Sequence, residues 1–197
     1  MFVTFEGIDG SGKSTQAEYL AGWLAEQGRE VVATREPGGT VLGEGVRSLL
    51  LNGPEMTAWA EAALFTSARA ELVDRVILPA LGRGAAVVCD RYIDSSVAYQ
   101  GIGRHLGVGR VLELNLAATR GLLPDVTFVL LVPPEEATKR SPGSRDRIER
   151  EGDGFLTRVD QAYRGLAALF PQRIAAVDGV RPAEEIAKEI RERVGGL

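Results

Sequence analysis

At 197 residues, 45% hydrophobic and 25% charged, the chain suits one water-soluble globular domain with room for a substantial core. A formal net charge of −4 offers no whole-chain attraction to nucleic acid or an anionic membrane, so any grip on phosphate must come from local cations. The single cysteine excludes an internal disulfide and a thiolate metal cluster. Apolar runs too short for a bilayer, and a start without a basic-then-apolar leader, read as a cytoplasmic protein.

Along the chain, short β-rich runs alternate with helical stretches, without repeat or linker, which predicts one parallel sheet covered by helices. Phe2–Glu6 is the first strand, followed by a helix over Lys13–Gln27 that Gly28 ends as a left-handed cap. A strand at Glu30–Thr34 precedes helices at Leu42–Leu51 and Thr57–Leu81. The strand Ala85–Cys89 comes next, then a helix at Val108–Ala118, a strand at Thr127–Val132 and a short helix at Glu135–Arg140. Gly154–Leu169 is helical, Arg173–Val177 the fifth strand, and Pro182 opens a final helix reaching Arg193. Cys89 follows four apolar residues and reads as a buried strand residue, while His105, between Gly103 and Gly107, reads as a solvated loop residue. Ser141–Gly154 is rich in charge and glycine with no apolar period: a solvated loop, or a lid over a site near 141–152.

The segment Gly7-Ile8-Asp9-Gly10-Ser11-Gly12-Lys13-Ser14 fits G-x-x-x-x-G-K-[ST], with an apolar strand before it and a helix beginning at Lys13. Glycines let successive N–H groups converge on phosphate oxygens, and the helix N-terminus adds its positive end. Lys13 is the cation for the outer phosphates and Ser14 a ligand for Mg²⁺. A second acid for the metal is Asp90, closing the apolar run Ala85–Cys89 at the carboxyl end of a strand.

Nucleotide binding alone leaves open a switch, a motor or a kinase. No Asn-Lys-x-Asp for guanine occurs, and the chain is short for a motor. A kinase needs cations to align two anions, and Arg35, Arg47, Arg69 and Arg91 fall near strand ends or on helices able to line a second pocket.

Over nearly its full length the chain resembles the thymidylate kinase family. The resemblance rests on Phe5-Glu6-Gly7 through Lys13-Ser14-Thr15, on Thr34-Arg35-Glu36-Pro37-Gly38-Gly39-Thr40, and on Leu64-Phe65 with Arg69. It continues through Asp90-Arg91-Tyr92, Ser95-Ser96-Val97-Ala98-Tyr99-Gln100-Gly101 and Asp146-Arg147-Ile148-Glu149. It implies a P-loop NTPase fold of the α/β class: a five-stranded parallel sheet, helices on both faces, a mobile lid and a homodimer built through helices. Trp59, Ala63 and Leu64 offer apolar surface for the dimer, though core packing explains them equally. The implied reaction moves the γ-phosphoryl of ATP to dTMP. Phe65 would stack on thymine, Arg69 donate to its O4, and Ser96 and Gln100 lie near the pyrimidine edge. Tyr99 would crowd the 2′ position, Asp9 address the 3′-hydroxyl and metal region, and Arg35, Arg47 and Arg91 grip the acceptor phosphate. Some members carry a P-loop arginine where this chain has Gly10; with glycine there, a lid arginine would act in the transition state, Arg145 or Arg147 ahead of Arg140. Adenine would meet the lid-side helix and the loop after the last strand, near Asp178–Arg181. The rival readings are a kinase of another nucleotide on this fold and a regulator that hydrolyses ATP slowly.

Overall fold

Each predicted strand forms within one residue of its expected bounds in the computed structural model, which describes residues 1–140 and 147–196 apart from the side chains of Glu149 and Asp153. The strands are β1 (Phe2–Glu6), β2 (Val31–Arg35), β3 (Ala86–Asp90), β4 (Val126–Leu131) and β5 (Ile174–Asp178). All pair in parallel, in the order β2-β3-β1-β4-β5. Alternate side chains enter two cores. Val3, Phe5, Val88 and Phe128 pack beneath α1 (Lys13–Glu26) and α9 (Ala183–Val194), while Phe2, Val87 and Val129 pack beneath the helices of the other face. A sheet covered on both sides needs these near-continuous apolar strands.

The register decides where function can sit. Phe5 pairs with Asp90, so the carboxyl ends of β1 and β3 emerge side by side at the centre of the sheet. Gly28, at φ +79, closes α1 as expected; its N–H reaches Ala25 O at 2.9 Å and that of Arg29 reaches Leu24 O at 3.2 Å.

On the second face lie α2 (Val41–Asn52), α3 (Ala58–Leu72), α6 (Val108–Ala118) and α8 (Asp153–Leu169), with the short α7 (Pro134–Arg140) after β4. The helix expected over Thr57–Leu81 is continuous but widens into a π turn at Val73–Ile77 before α4 (Leu78–Gly82). Pro79 has no N–H to give the carbonyl four residues back, and the wider turn accommodates that gap.

One helix was not foreseen. Ile93–Ser96 (α5) runs into a π-helical stretch at Val97–Gly103, and nearly all of its residues are buried. A helix enclosed on every side has no polar stripe to give an amphipathic period. Cys89 is fully buried and His105 exposed, as expected. Half of the anticipated lid, residues 141–146 with Arg145 among them, lies outside the described residues. Among the described residues, no helix is long and apolar enough to cross a membrane.

Candidate active site

Leaving β1 at Glu6, the chain turns through Gly7–Gly12 and enters α1 at Lys13. Gly10 sits at φ +81, and a Cβ there would come within 2.1 Å of the Ala137 carbonyl oxygen on α7. The loop is thus packed on α7 backbone at Gly10, and no side chain fits. Gly12 caps α1 without a side-chain acceptor, leaving first-turn N–H groups available to an anion. Lys13 is buried, its ammonium donating to Ile8 O at 3.0 Å and reaching Asp9 Oδ1 at 3.4 Å. Burial and the nearby Arg91 pull its pKa down. The cleft here is walled by Lys13, Ser14, Thr15, Arg140, Gly179 and Arg181, so the loop after β5 meets the cradle.

Ser14 Oγ donates to Asp90 Oδ2 at 2.5 Å, and the buried Asp90 Oδ1 has no hydrogen-bond partner. Two hard oxygen donors, one under-satisfied, at the mouth of a phosphate cradle fit a Mg²⁺ that draws its other ligands from phosphate and water. Among the described residues no cluster of three or more His, Cys, Asp or Glu forms a cation cage by itself.

A second cavity opens on the far side of Asp9, lined by Arg47, Phe65, Arg91, Ser96, Tyr99 and Gln100 among others. Asp9 belongs to both walls. Arg91, directly after β3, takes φ +71, a strained value for a side-chain-bearing residue. Its guanidinium gains Asp9 Oδ1 at 2.7 Å, Gly7 O at 3.1 Å and Ser95 Oγ at 3.2 Å, and lies 5.2 Å from the centre of the Tyr99 ring. Desolvation works against the Asp9 charge, but the Arg91 and Lys13 cations outweigh it and hold the carboxyl well below its usual range.

Two predicted residues stand apart from the pocket walls. Arg69 is 1% exposed, and each of its guanidinium nitrogens is engaged: with Glu36 at 2.7 Å, Ser96 Oγ at 2.9 Å, Tyr92 O at 3.0 Å and Asn115. Ser96, not Arg69, faces the second cavity. Arg147 is buried against Glu61 at 2.8 Å and Leu50 O at 3.0 Å, outside the phosphate cradle, whereas Arg140 lies on the cradle wall. Arg35 occupies an adjoining cleft, paired with the Glu44 carboxylate at 3.2 Å.

Sequence reasoning passed over Glu6 and Glu61. Glu6 ends the central strand, fully buried, and accepts from Tyr92 N at 2.8 Å, Ser95 N at 3.1 Å, Ser95 Oγ at 2.5 Å and Tyr163 Oη at 2.9 Å. Burial and the nearby Asp94 carboxylate push its pKa up from 4.5 to about 7. An acid closing an otherwise apolar strand was the available signal.

The strand order, with a glycine loop and lysine between the central strand and the first helix, defines a P-loop NTPase fold. The family profile described as Thymidylate kinase matches residues 5–190. A thymidylate kinase of Leifsonia xyli subsp. xyli is 51% identical over 200 residues, covering 100% of this chain and 95% of its own length. One from Clavibacter michiganensis subsp. michiganensis is 49% identical over 201 residues, with the same coverage of 100% and 95%. The crystal structure of thymidylate kinase from Ehrlichia chaffeensis matches with a TM-score of 0.83 at 34% identity, covering 99% of this chain and 98% of that one. The chain belongs to the thymidylate kinase family.

Glu6 predicts a pH signature. Its folded pKa of about 7 exceeds the model-compound 4.5, so its contribution to stability is full below pH 4.5 and lost as pH rises through 7. Glu6→Gln stays neutral throughout and escapes that loss. The stability of the variant relative to the parent should therefore rise between pH 5 and pH 8, by on the order of 3 kcal/mol. Urea denaturation at the two pH values reads it; a constant difference would mean that Glu6 titrates normally.

Proposed function

We propose that this protein transfers the γ-phosphoryl of ATP to dTMP, giving dTDP and ADP, as a cytoplasmic enzyme of deoxynucleotide synthesis. The observation that carries this reading is Asp9 on the walls of both cavities, with Arg91 clasped to it: a phosphate cradle and an arginine-lined acceptor pocket share one partition. Two nucleotides entering from opposite sides would meet there with their phosphates in line.

Backbone N–H groups of Gly7–Thr15 and the Lys13 ammonium hold the donor phosphates. Ser14 and Asp90 hold Mg²⁺, which neutralises charge on those phosphates when bound. Arg47 and Arg91 engage the acceptor phosphate from the pocket wall. Arg35 joins them by leaving Glu44, a loss of little consequence because exposed pairs contribute only about 0–1 kcal/mol. The acceptor phosphate is already an anionic nucleophile, so alignment and charge neutralisation suffice without a general base. Asp9, ionised beside Arg91, accepts from the 3′-hydroxyl, and the Tyr99 ring crowds a 2′-hydroxyl. Phe65 stacks on thymine. Ser96 Oγ, accepting from Arg69, keeps its own hydrogen for O4, and a direct bond from Arg69 requires it to release a partner.

With Gly10 closed to any side chain, the transition-state cation comes from Arg140 or Arg145. Alanine at the acting one should lower kcat about a hundredfold or more with little change in the KM for ATP. Wild-type turnover in both variants would remove the lid-arginine role.

A homodimer packs through α2 and α3, where Val41 is 96% exposed and Leu42, Leu49 and Trp59 also face outward. Trp59→Asp should lower the sedimentation coefficient toward that of a monomer; an unchanged value would move the interface elsewhere.

Coupled detection of ADP, with each nucleoside monophosphate offered separately beside ATP and Mg²⁺, tests the central reading. Turnover should be high with dTMP, weaker with dUMP and near background with dCMP, AMP and GMP. Preference for another monophosphate would make this a kinase of that nucleotide; ADP release indifferent to any acceptor would make it a regulatory ATPase.

A further inference from the structure

Behind the acceptor pocket, one buried carboxylate fixes which way a polar side chain points. Gln100 lines the pocket, and its Nε2 donates to Glu61 Oε1 at 2.9 Å. Glu61 sits in the first turn of α3, 1% exposed and outside the pocket lining. Cations surround the rest of the carboxylate: Arg104 donates from Nε at 3.2 Å and Nη2 at 3.0 Å, and Arg147 Nη2 forms an ion pair with it at 2.8 Å. The two arginines are themselves tied down. Arg104 pairs with Glu151 at 2.5 Å and lies 4.9 Å from the centre of the Phe155 ring, and Arg147 Nε donates to Leu50 O. Burial pushes the Glu61 carboxyl upward, but its bonds to Arg104 and Gln100 outweigh that and keep it ionised. An ionised carboxylate only accepts, so the Gln100 amide can present only its nitrogen to it. The opposite end, Oε1, is what remains for a ligand in the pocket.

We infer that Glu61 is a positioning residue for base selectivity: it holds the Gln100 amide with oxygen toward the pocket, so the site takes a pyrimidine bearing N3–H and rejects one whose N3 is an acceptor. The inference rests on the dTMP reading above and deepens it. Thymine and uracil carry hydrogen at N3, whereas cytosine presents a lone pair. Two acceptors then face each other in a desolvated pocket, and neither finds a donor. Glu61 acts through Gln100 and does not meet the substrate.

The test is steady-state kcat/KM of the full chain with dTMP, dUMP and dCMP, comparing the parent with Glu61→Gln. The new amide accepts or donates equally well, so Gln100 is released to turn. The dTMP-to-dCMP ratio should fall about tenfold or more, while the dTMP-to-dUMP ratio stays put because both bases carry N3–H. A purely structural role for Glu61 would lower all three together and leave both ratios unchanged, which would overturn the inference. If Glu61→Gln fails to fold by circular dichroism, Glu61→Asp keeps the charge for Arg104 and Arg147 while drawing back from Gln100. The same drop in the dCMP ratio is expected from it, and an unchanged ratio refutes the proposal. A parent that ignores dTMP would sink the function reading itself, and this one with it; a parent that selects dTMP beside variants that select it equally well would sink this one alone.

Discussion

Arg91 and Asp9 meet at 2.7 Å across the seam between the central strand and its neighbour, and the two cavities are organised around that contact. Sheet register makes it possible: Phe5 lies opposite Asp90, and the Arg91 N–H continues the ladder by donating to Phe5 O at 2.9 Å. The next side chain must then cross from the end of β3 to the loop after β1, which an extended residue would not achieve. The left-handed backbone at Arg91 costs roughly 1–2 kcal/mol. Bonds to Asp9, Gly7 and Ser95, with the Tyr99 ring beneath, offset it. The sheet thereby fixes the position of a cation at the partition between the two cavities.

Around that centre the molecule buries charge in two ways. Glu36 with Arg69, Asp94 with Arg173, and Glu61 with Arg104 and Arg147 are ion pairs whose carboxylates are sealed from water, each tying together elements distant in sequence. Removing one partner from such a pair leaves an uncompensated charge and costs several kcal/mol, while the intact pair adds little net stability. Their value lies in specifying geometry around the site. Glu6 differs, being held by neutral donors from the turn after β3 and from α8; burial and the nearby Asp94 carboxylate outweigh those bonds and raise its pKa.

The cradle, the five strands and most helices were legible because they depend on local rules: a fixed glycine–lysine spacing, alternating or continuous apolar runs, and caps such as Gly28. The segment Ile93–Gly103 was recognisable by resemblance but not as a helix, since burial on every side erases the period that sequence patterns rely on. Arg147 illustrates the other limit. In a charge-rich stretch it reads as a solvated or catalytic cation, yet it is 8% exposed and paired with a glutamate 86 positions earlier in the chain. Long-range ion pairs leave no periodic trace. Arg69 was read as a thymine contact alongside Phe65, but its depth behind Ser96 is set by Glu36 and Asn115, which come from β2's exit and α6.

The lone thiol of Cys89 sits at 0% exposure inside β3, its Sγ donating to Arg91 O at 3.0 Å, and burial raises its pKa well above the ordinary value. A neutral, enclosed thiol reacts with alkylating or disulfide reagents only when its strand opens. The same strand delivers Asp90 and Arg91 to the site. The chain therefore carries an intrinsic chemical timer: the rate of Cys89 labelling counts how often the sheet centre breathes, and any ligand that braces Asp90 or Arg91 should slow that clock.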